Sequence, residues 1–223
     1  MNITEYCEKF MSNRERPLQR RVWDDVDFQE ARSAVFIIGK HLEPAFSIDD
    51  YNRAEYSSIL KWALGNKGEL DPCKGLYLYG NTGTGKTMLV TIMRHISRYY
   101  GTGIVNECDV NVSYLIDKTA RADEICDDYA ETGDISQWVK YPSLCINDLG
   151  SEPAETVYMG NRRRVLRSIL EQRADRADRM TIITSNFPPD SDDFVQMYGH
   201  RVRSRIQQMC NVVFLDGPDR RNN

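Results

Sequence analysis

Gly75-Leu76-Tyr77-Leu78-Tyr79-Gly80-Asn81-Thr82-Gly83-Thr84-Gly85-Lys86-Thr87 is the stretch on which the reading of this chain turns. Gly75 to Tyr79 reads as a buried strand. Gly80 to Thr87 fits G-x-x-x-x-G-K-[ST] in full, and Met88 to Tyr99 follows as a helix with Leu89, Ile92, Met93 and Ile96 on one face. Each position has a physical reason. Gly80, Gly83 and Gly85 let the backbone curl, so that the N–H groups of Asn81, Thr82 and Thr84 and their neighbours converge on phosphate oxygens. Lys86 brings a positive charge to the β- and γ-phosphates, and the Thr87 hydroxyl suits Mg²⁺. The N-terminus of the following helix offers its positive end to the same anion. A nucleoside triphosphate site for ATP with Mg²⁺ is the expectation.

Outward from the loop, strands alternate with helices. Ile104-Val105 reads as a second strand and Leu115 to Tyr129 as a helix. Leu144-Cys145-Ile146 is a third strand, Asn161 to Ala174 a helix, Met180 to Ile183 a fourth strand, Tyr198 to Met209 a helix and Val212 to Leu215 a fifth strand. Such alternation predicts an α/β fold, a parallel sheet covered by helices on both faces. Upstream, helices are expected at Glu30 to Lys40 and at roughly 50–64, the latter capped by Asp49 or Asp50. Residues 46–223 would be the nucleotide-binding core and residues 1–45, with Arg14, Arg16, Arg20 and Arg21 ahead of Trp23-Asp24-Asp25, a mainly helical extension.

Bulk properties exclude some classes. A chain of 223 residues with a formal net charge of −4 has no global pull toward nucleic acid, so any such binding is local. No apolar run approaches the ~20 residues of a membrane span. The N-terminus lacks a signal pattern, and the six scattered cysteines contain no C-x-x-C pair. A cytoplasmic protein with reduced thiols is expected. The one strong basic excess is residues 161–179, where seven arginines outnumber three acids. Arg162, Arg163, Arg164 and Arg167 are its candidates for tracking single-stranded DNA, against the alternative of a solvated or subunit-contacting face. Residues 123–134 carry six acids and no base, a pattern of solvated surface.

Two further strand ends carry polar groups to the carboxyl edge of the sheet, where ligands bind in such folds. Leu144-Cys145-Ile146 runs into Asn147-Asp148-Leu149-Gly150, suited to place a carboxylate, Asp148, near the metal. Thr181-Ile182-Ile183-Thr184 ends in Ser185-Asn186, a neutral donor for a γ-phosphate or a water. Either could instead be an ordinary strand-ending turn. In the helix beyond, Val202, Ile206 and Met209 recur at core spacing, which turns Arg201 and Arg205 together onto a neighbouring face. That pair could reach a γ-phosphate on a second subunit or form a solvated basic surface.

Taken together, Phe46 with Asn52-Arg53-Ala54, GLYLYGNTGTGKT, LCINDLGSEP, TIITSNFPP and YGHRVRSRIQQ ending in GPDRR resemble the DnaC/IstB group of AAA+ ATPases. That group includes replicative helicase loaders and transposition helper proteins. The pieces span residues 46–221. The resemblance implies a three-layer α/β/α P-loop NTPase fold, ATP hydrolysis and assembly into an oligomer when ATP is bound. It makes Asn186 the sensor-1 residue, Arg205 the arginine finger with Arg201 beside it, and Asn52 part of the segment packed near adenine. Relatives place two adjacent acids where this chain has Asn147-Asp148. Asn147 can hold a metal-bound water but brings no charge, so slow hydrolysis is expected. In loaders the N-terminal region grips the helicase, which gives residues 1–45 a replicative helicase as partner. A transposition helper is the alternative, and a P-loop small-molecule kinase is disfavoured because it has no need of the TSN and YG-x-R-x-x-SR blocks.

Overall fold

The computed structural model describes residues 18–21, 27–66, 68–105 and 112–220. In chain order it runs β1 (Gln19–Arg21), α1 (Phe28–Leu42), α2 (Arg53–Leu64), β2 (Gly75–Tyr79), α3 (Lys86–Tyr99), β3 (Gly103–Val105), β4 (Val112–Tyr114), β5 (Lys118–Arg121), α4 (Ala122–Thr132), α5 (Ser136–Lys140), β6 (Ser143–Leu149), β7 (Thr156–Tyr158), β8 (Asn161–Arg163), α6 (Val165–Ala174), β9 (Met180–Ser185), α7 (Asp192–Met209) and β10 (Cys210–Phe214). Arg14, Arg16 and Trp23-Asp24-Asp25 lie outside the described residues.

Five strands form a parallel sheet in the order β10-β2-β9-β6-β5. β2, which feeds the glycine-rich loop, is bonded on both edges, Leu76 opposite Asn211 on one side and Ile182 on the other. Side chains alternate across the sheet. Leu76, Leu78, Cys145 and Ile182 join Ala31 and Val35 of α1, Ile59 and Leu60 of α2, and Leu89, Ile92 and Met93 of α3 in one core. Tyr77, Leu144, Ile146 and Ile183 face the other way, into a second core with Ile125 and Tyr129 of α4, Ile169 and Leu170 of α6, and Val202 and Ile206 of α7. The result is the three-layer α/β/α arrangement expected. The described parts of residues 1–45 pack into the first core: Leu18, Ala31 and Val35 are buried there. Arg20 donates to the carbonyls of Trp62, Ala63 and Pro72.

Several elements differ from the expectation drawn from the sequence. α1 is longer at both ends; the Asp27 carboxylate accepts from the Gln29 and Glu30 N–H groups (2.8 and 3.4 Å) and starts the helix early, and at its far end the Glu43 N–H still reaches the Gly39 carbonyl (2.9 Å). Neither Asp49 nor Asp50 caps α2. Asn52 holds the N-cap position, its Oδ1 turned back to accept from the Asp49 N–H (3.0 Å). Ile104-Val105 is a strand, but in a separate antiparallel sheet with β1 and β4. The second central strand is instead Lys118–Arg121, paired with Leu144–Asn147, so the helix expected from Leu115 begins only at Ala122. Likewise Asn161–Arg163 is not helical. It pairs with Thr156–Tyr158 around Met159 and Gly160, whose φ values of 46° and 82° make a tight hairpin turn. α7 is two helical stretches joined at Gly199, whose φ of 84° and ψ of 161° no other residue type adopts without strain.

Arg173 corrects the charge reading of residues 161–179. It is 1% exposed. Its guanidinium donates to the carbonyls of Trp138 (3.0 Å), Val139 (3.3 Å), Tyr141 (2.8 Å) and Met180 (2.6 Å) and to Thr181 Oγ1 (2.9 Å). Burial lowers its pKa, and the Arg179 charge adds to that. This side chain ties α5 and α6 to the start of β9 and has no role at the surface. Arg173→Ala should cost roughly 3–5 kcal/mol of stability, because it leaves a set of buried carbonyls without donors. Urea unfolding checks this, and a loss under about 1 kcal/mol would contradict it.

Candidate functional site

The loop between β2 and α3 sits at the carboxyl edge of the central sheet and floors a cavity of about 620 Å³, within the size range of small-ligand and cofactor sites. Thr82 to Met88 line it together with Asp148, Asn186 and Asn52. Lys86 is 6% exposed. Its Nζ donates to the Gly80 and Asn81 carbonyls (2.8 Å each) and to Asn186 Oδ1 (2.9 Å). The ammonium is thus tied to the tip of β9. An anion of higher charge density entering the loop would compete for the same three donors.

At the neighbouring strand end, β6 and β9 lose register after Ile146 and regain it at Leu149. Within that irregularity Asp148 takes a φ of 55°. Its N–H donates to Thr184 Oγ1 (2.9 Å), and Asp148 lines the cavity. Asn147 is not among the lining residues. Its Oδ1 accepts from Thr184 Oγ1 (3.4 Å) and Cys145 Sγ (3.5 Å), between the strands. The loop that follows is held from beneath. Glu152 is 7% exposed and accepts from the Gly150 N–H (2.8 Å) and the Tyr198 hydroxyl (2.5 Å). Burial raises its carboxyl pKa, although these two donors favour the charged form.

Phe46, Asn52 and Tyr56 add an aromatic and amide wall to the cavity, with the Phe46 and Tyr56 rings edge to face at 5.8 Å. Burial pushes the Tyr56 phenol above its ordinary pKa. Two lining arginines were not singled out from the sequence. Arg121, at the end of β5 in register with Asn147, was hidden by reading 115–129 as one helix. Arg220 comes from the C-terminal segment, where no strand or helix periodicity points inward.

Arg201 and Arg205 do not line this cavity. Arg201 is exposed. Arg205 pairs with Asp175 (2.8 Å) and donates to Gln208 (3.3 Å). The other arginine group is scattered. Arg162 and Arg164, exposed on and beside the hairpin, stand 3.8 and 3.9 Å from Glu155. The Arg163 guanidinium lies 5.7 Å over the Tyr129 ring, and Arg167 pairs with Glu171 (3.2 Å).

The residues present fit ATP and Mg²⁺. Glycines stand where a Cβ would strike backbone, as at Gly80 against the Leu215 carbonyl (2.2 Å), and Thr87 and Asp148 both reach the cavity with oxygen ligands. Among the described residues no helix is long and apolar enough to cross a membrane.

Sheet order, glycine-rich loop and polar strand tips define an α/β P-loop NTPase fold. Two solved structures share it. A protein described as a primosome component from Streptococcus pyogenes serotype M3 matches with a TM-score of 0.52 at 22% identity, over 76% of this chain and 81% of that one. The DnaC helicase loader matches with a TM-score of 0.51 at 19% identity, over 78% of this chain and 96% of that one. The resemblance read from the motifs thus extends to the fold. No protein-family model and no curated protein matches the chain.

Proposed function

We propose that this protein is an ATP-switched helicase loader: it binds Mg-ATP, oligomerises, and brings a replicative helicase onto single-stranded DNA. The observation that carries the reading is Lys86 bonded to Asn186 in a nucleotide-sized cavity that Asp148 also lines. The fold shared with a helicase loader favours this role over a metabolite kinase. Thr87 and Asp148 would hold Mg²⁺, which would supply neutralisation of phosphate charge. The chain's own groups do the rest. Lys86 leaves the loop carbonyls to meet phosphate oxygens, Asn186 donates to the γ-phosphate or orients a water, and Asp148 polarises that water. With Asn147 neutral, hydrolysis is slow and ATP acts chiefly as an assembly signal. Residues 1–45 contact the helicase.

Arg205 acts in trans, with Arg201 beside it, on ATP held by the next subunit; their position outside their own cavity supports this. Arg205→Ala subunits should bind ATP but fail to assemble with one another, and Lys86→Ala subunits should lose at least tenfold in ATP affinity. Mixed, the two should recover assembly at interfaces pairing an intact loop with an intact finger. Fluorescent-nucleotide titration and light scattering across mixing ratios read both effects. No recovery at any ratio, or normal ATP binding by Lys86→Ala, counts against this reading.

Arg162 and Arg164 are the best placed of the basic group for DNA, exposed and, among the described residues, held by long contacts to one shared acid. The double variant Arg162→Glu, Arg164→Glu should weaken single-strand binding and flatten the plot of log affinity against log salt by about two. An unchanged slope moves the DNA site elsewhere on the surface.

The helicase reading has a direct check. Full-length protein with ATP should co-elute from a sizing column with the replicative helicase of the same cell, and Lys86→Ala should reduce the complex. Separate elution of both proteins in ATP would refute the loader role while leaving nucleotide binding intact.

A further inference from the structure

The C-terminal segment does not simply leave the sheet after β10. Leu215 donates its N–H to the Tyr79 carbonyl (2.8 Å), the last rung before the glycine-rich loop. The chain then crosses over that loop. The Arg220 N–H donates to the Gly83 carbonyl (3.1 Å). Contact is close enough that a Cβ on Gly83 would fall 1.9 Å from Asp219 Oδ1 and 2.9 Å from Asp219 Cα. The Arg220 side chain runs on past Gly85 to Asp49, where Nη2 meets both carboxylate oxygens (2.8 and 3.1 Å). Asp49 is itself fixed, its N–H donated to Asn52 Oδ1 (3.0 Å) and its carboxylate accepting from the Tyr51 N–H (3.0 Å).

That geometry uses one nitrogen of a guanidinium that has three. Arg220 Nε is buried and has no hydrogen-bond partner among the described residues, and Arg220 lines the cavity. Asn52, 2% exposed and also lining it, spends its oxygen on Asp49 while its Nδ2 makes no hydrogen bond among the described residues. A buried donor without a partner, as Arg220 Nε is, costs free energy unless something else accepts from it. Arg220 and Asp49 are near enough to the Tyr56 phenol for their charges to act on it, and the Tyr56 ring meets that of Phe46. Lys86, which marks the β- and γ-phosphate position, is tied instead to Gly80, Asn81 and Asn186.

We propose that residues 216–220 form a strap that completes the nucleotide pocket, and that Arg220, oriented by Asp49, binds the nucleoside half of the ligand. This rests on the nucleotide-binding reading above and deepens it. A base and ribose offer the acceptors that Arg220 Nε and Asn52 Nδ2 lack, and the Phe46–Tyr56 wall supplies the apolar contact a base needs. Asp49 holds the guanidinium in place before the ligand arrives, so little side-chain freedom is lost on binding. Because the strap lies on the backbone of Gly83, a filled pocket and a docked C-terminus favour each other.

The test is calorimetric titration of the full-length protein with Mg-ATP and Mg-ADP. Arg220→Ala should bind both about tenfold more weakly, with the ATP-to-ADP affinity ratio unchanged. Asp49→Ala should lose a similar factor, and the double variant should be little worse than either single one, since the two residues act as a unit. Arg220→Lys keeps the charge against Asp49 but lacks Nε. It should fold as the wild type does and still lose most of the affinity, which separates ligand contact from structural support. Wild-type affinity in Arg220→Lys, a loss confined to ATP, or fully additive losses in the double variant would each overturn the proposal. Failure of the wild-type chain to bind either nucleotide would overturn it together with the reading beneath it. A wild type that binds and an Arg220→Ala that binds equally well would sink the strap alone.

Discussion

The hydrogen bond from Lys86 Nζ to Asn186 Oδ1 joins two strand ends that the chain visits a hundred residues apart. It exists because β2 and β9 are adjacent, parallel and in register, with Tyr79 opposite Ser185, so that the residues just past each strand leave the sheet side by side. The same ammonium draws in the Gly80 and Asn81 carbonyls, which closes the loop on itself. Asp148 reaches the cavity from the next strand over, because β6 flanks β9 on its other edge. The site is therefore a property of strand order. Any topology that separated β2 from β9 would leave the same side chains with nothing to converge upon.

The legible parts of the sequence were those where one requirement dominates. Gly80 to Thr87 can do little else, and β2, β6 and β9 are buried on both faces, so their apolar runs stand out. Helices α3 and α7 carry core residues at helical spacing. The parts that were misread are places where a long-range demand outweighs a local pattern. Lys118–Arg121 is polar enough to pass for a helix, yet the edge of the sheet recruits it through the backbone of Leu144 to Asn147. Asn161–Arg163 follows Gly160, and the turn that Gly160 permits folds those arginines back along Thr156–Tyr158. Arg220 could not be found by periodicity, since it arrives on an irregular segment.

Charge counting failed in an instructive way. Seven arginines within residues 161–179 suggest a basic surface. Arg173 instead lies in the interior, where it satisfies carbonyls that the ends of α5 and the start of β9 leave open. Arg163 and Arg167 are engaged with Tyr129 and Glu171 on the protein's own surface. The acidic run on α4 is solvated for the most part, but Asp128 accepts from the Trp138 indole and the Gln137 amide (2.7 Å each) and so anchors α5. A charged residue's meaning here depends on whether the backbone around it has unmet donors or acceptors, which composition does not record.

The left-handed backbone at Asp148 constrains which side chains the position accepts, apart from any chemistry they perform. At a φ of 55° a β-branched residue is sterically penalised, while Asn, Asp and Gly are tolerated. Drift at this codon is thereby channelled: a change to Asn removes the charge and leaves the fold of the turn intact, whereas Val or Ile would distort the turn and release the N–H from Thr184. A lineage that lost the carboxylate through Asn could therefore keep the architecture of the turn.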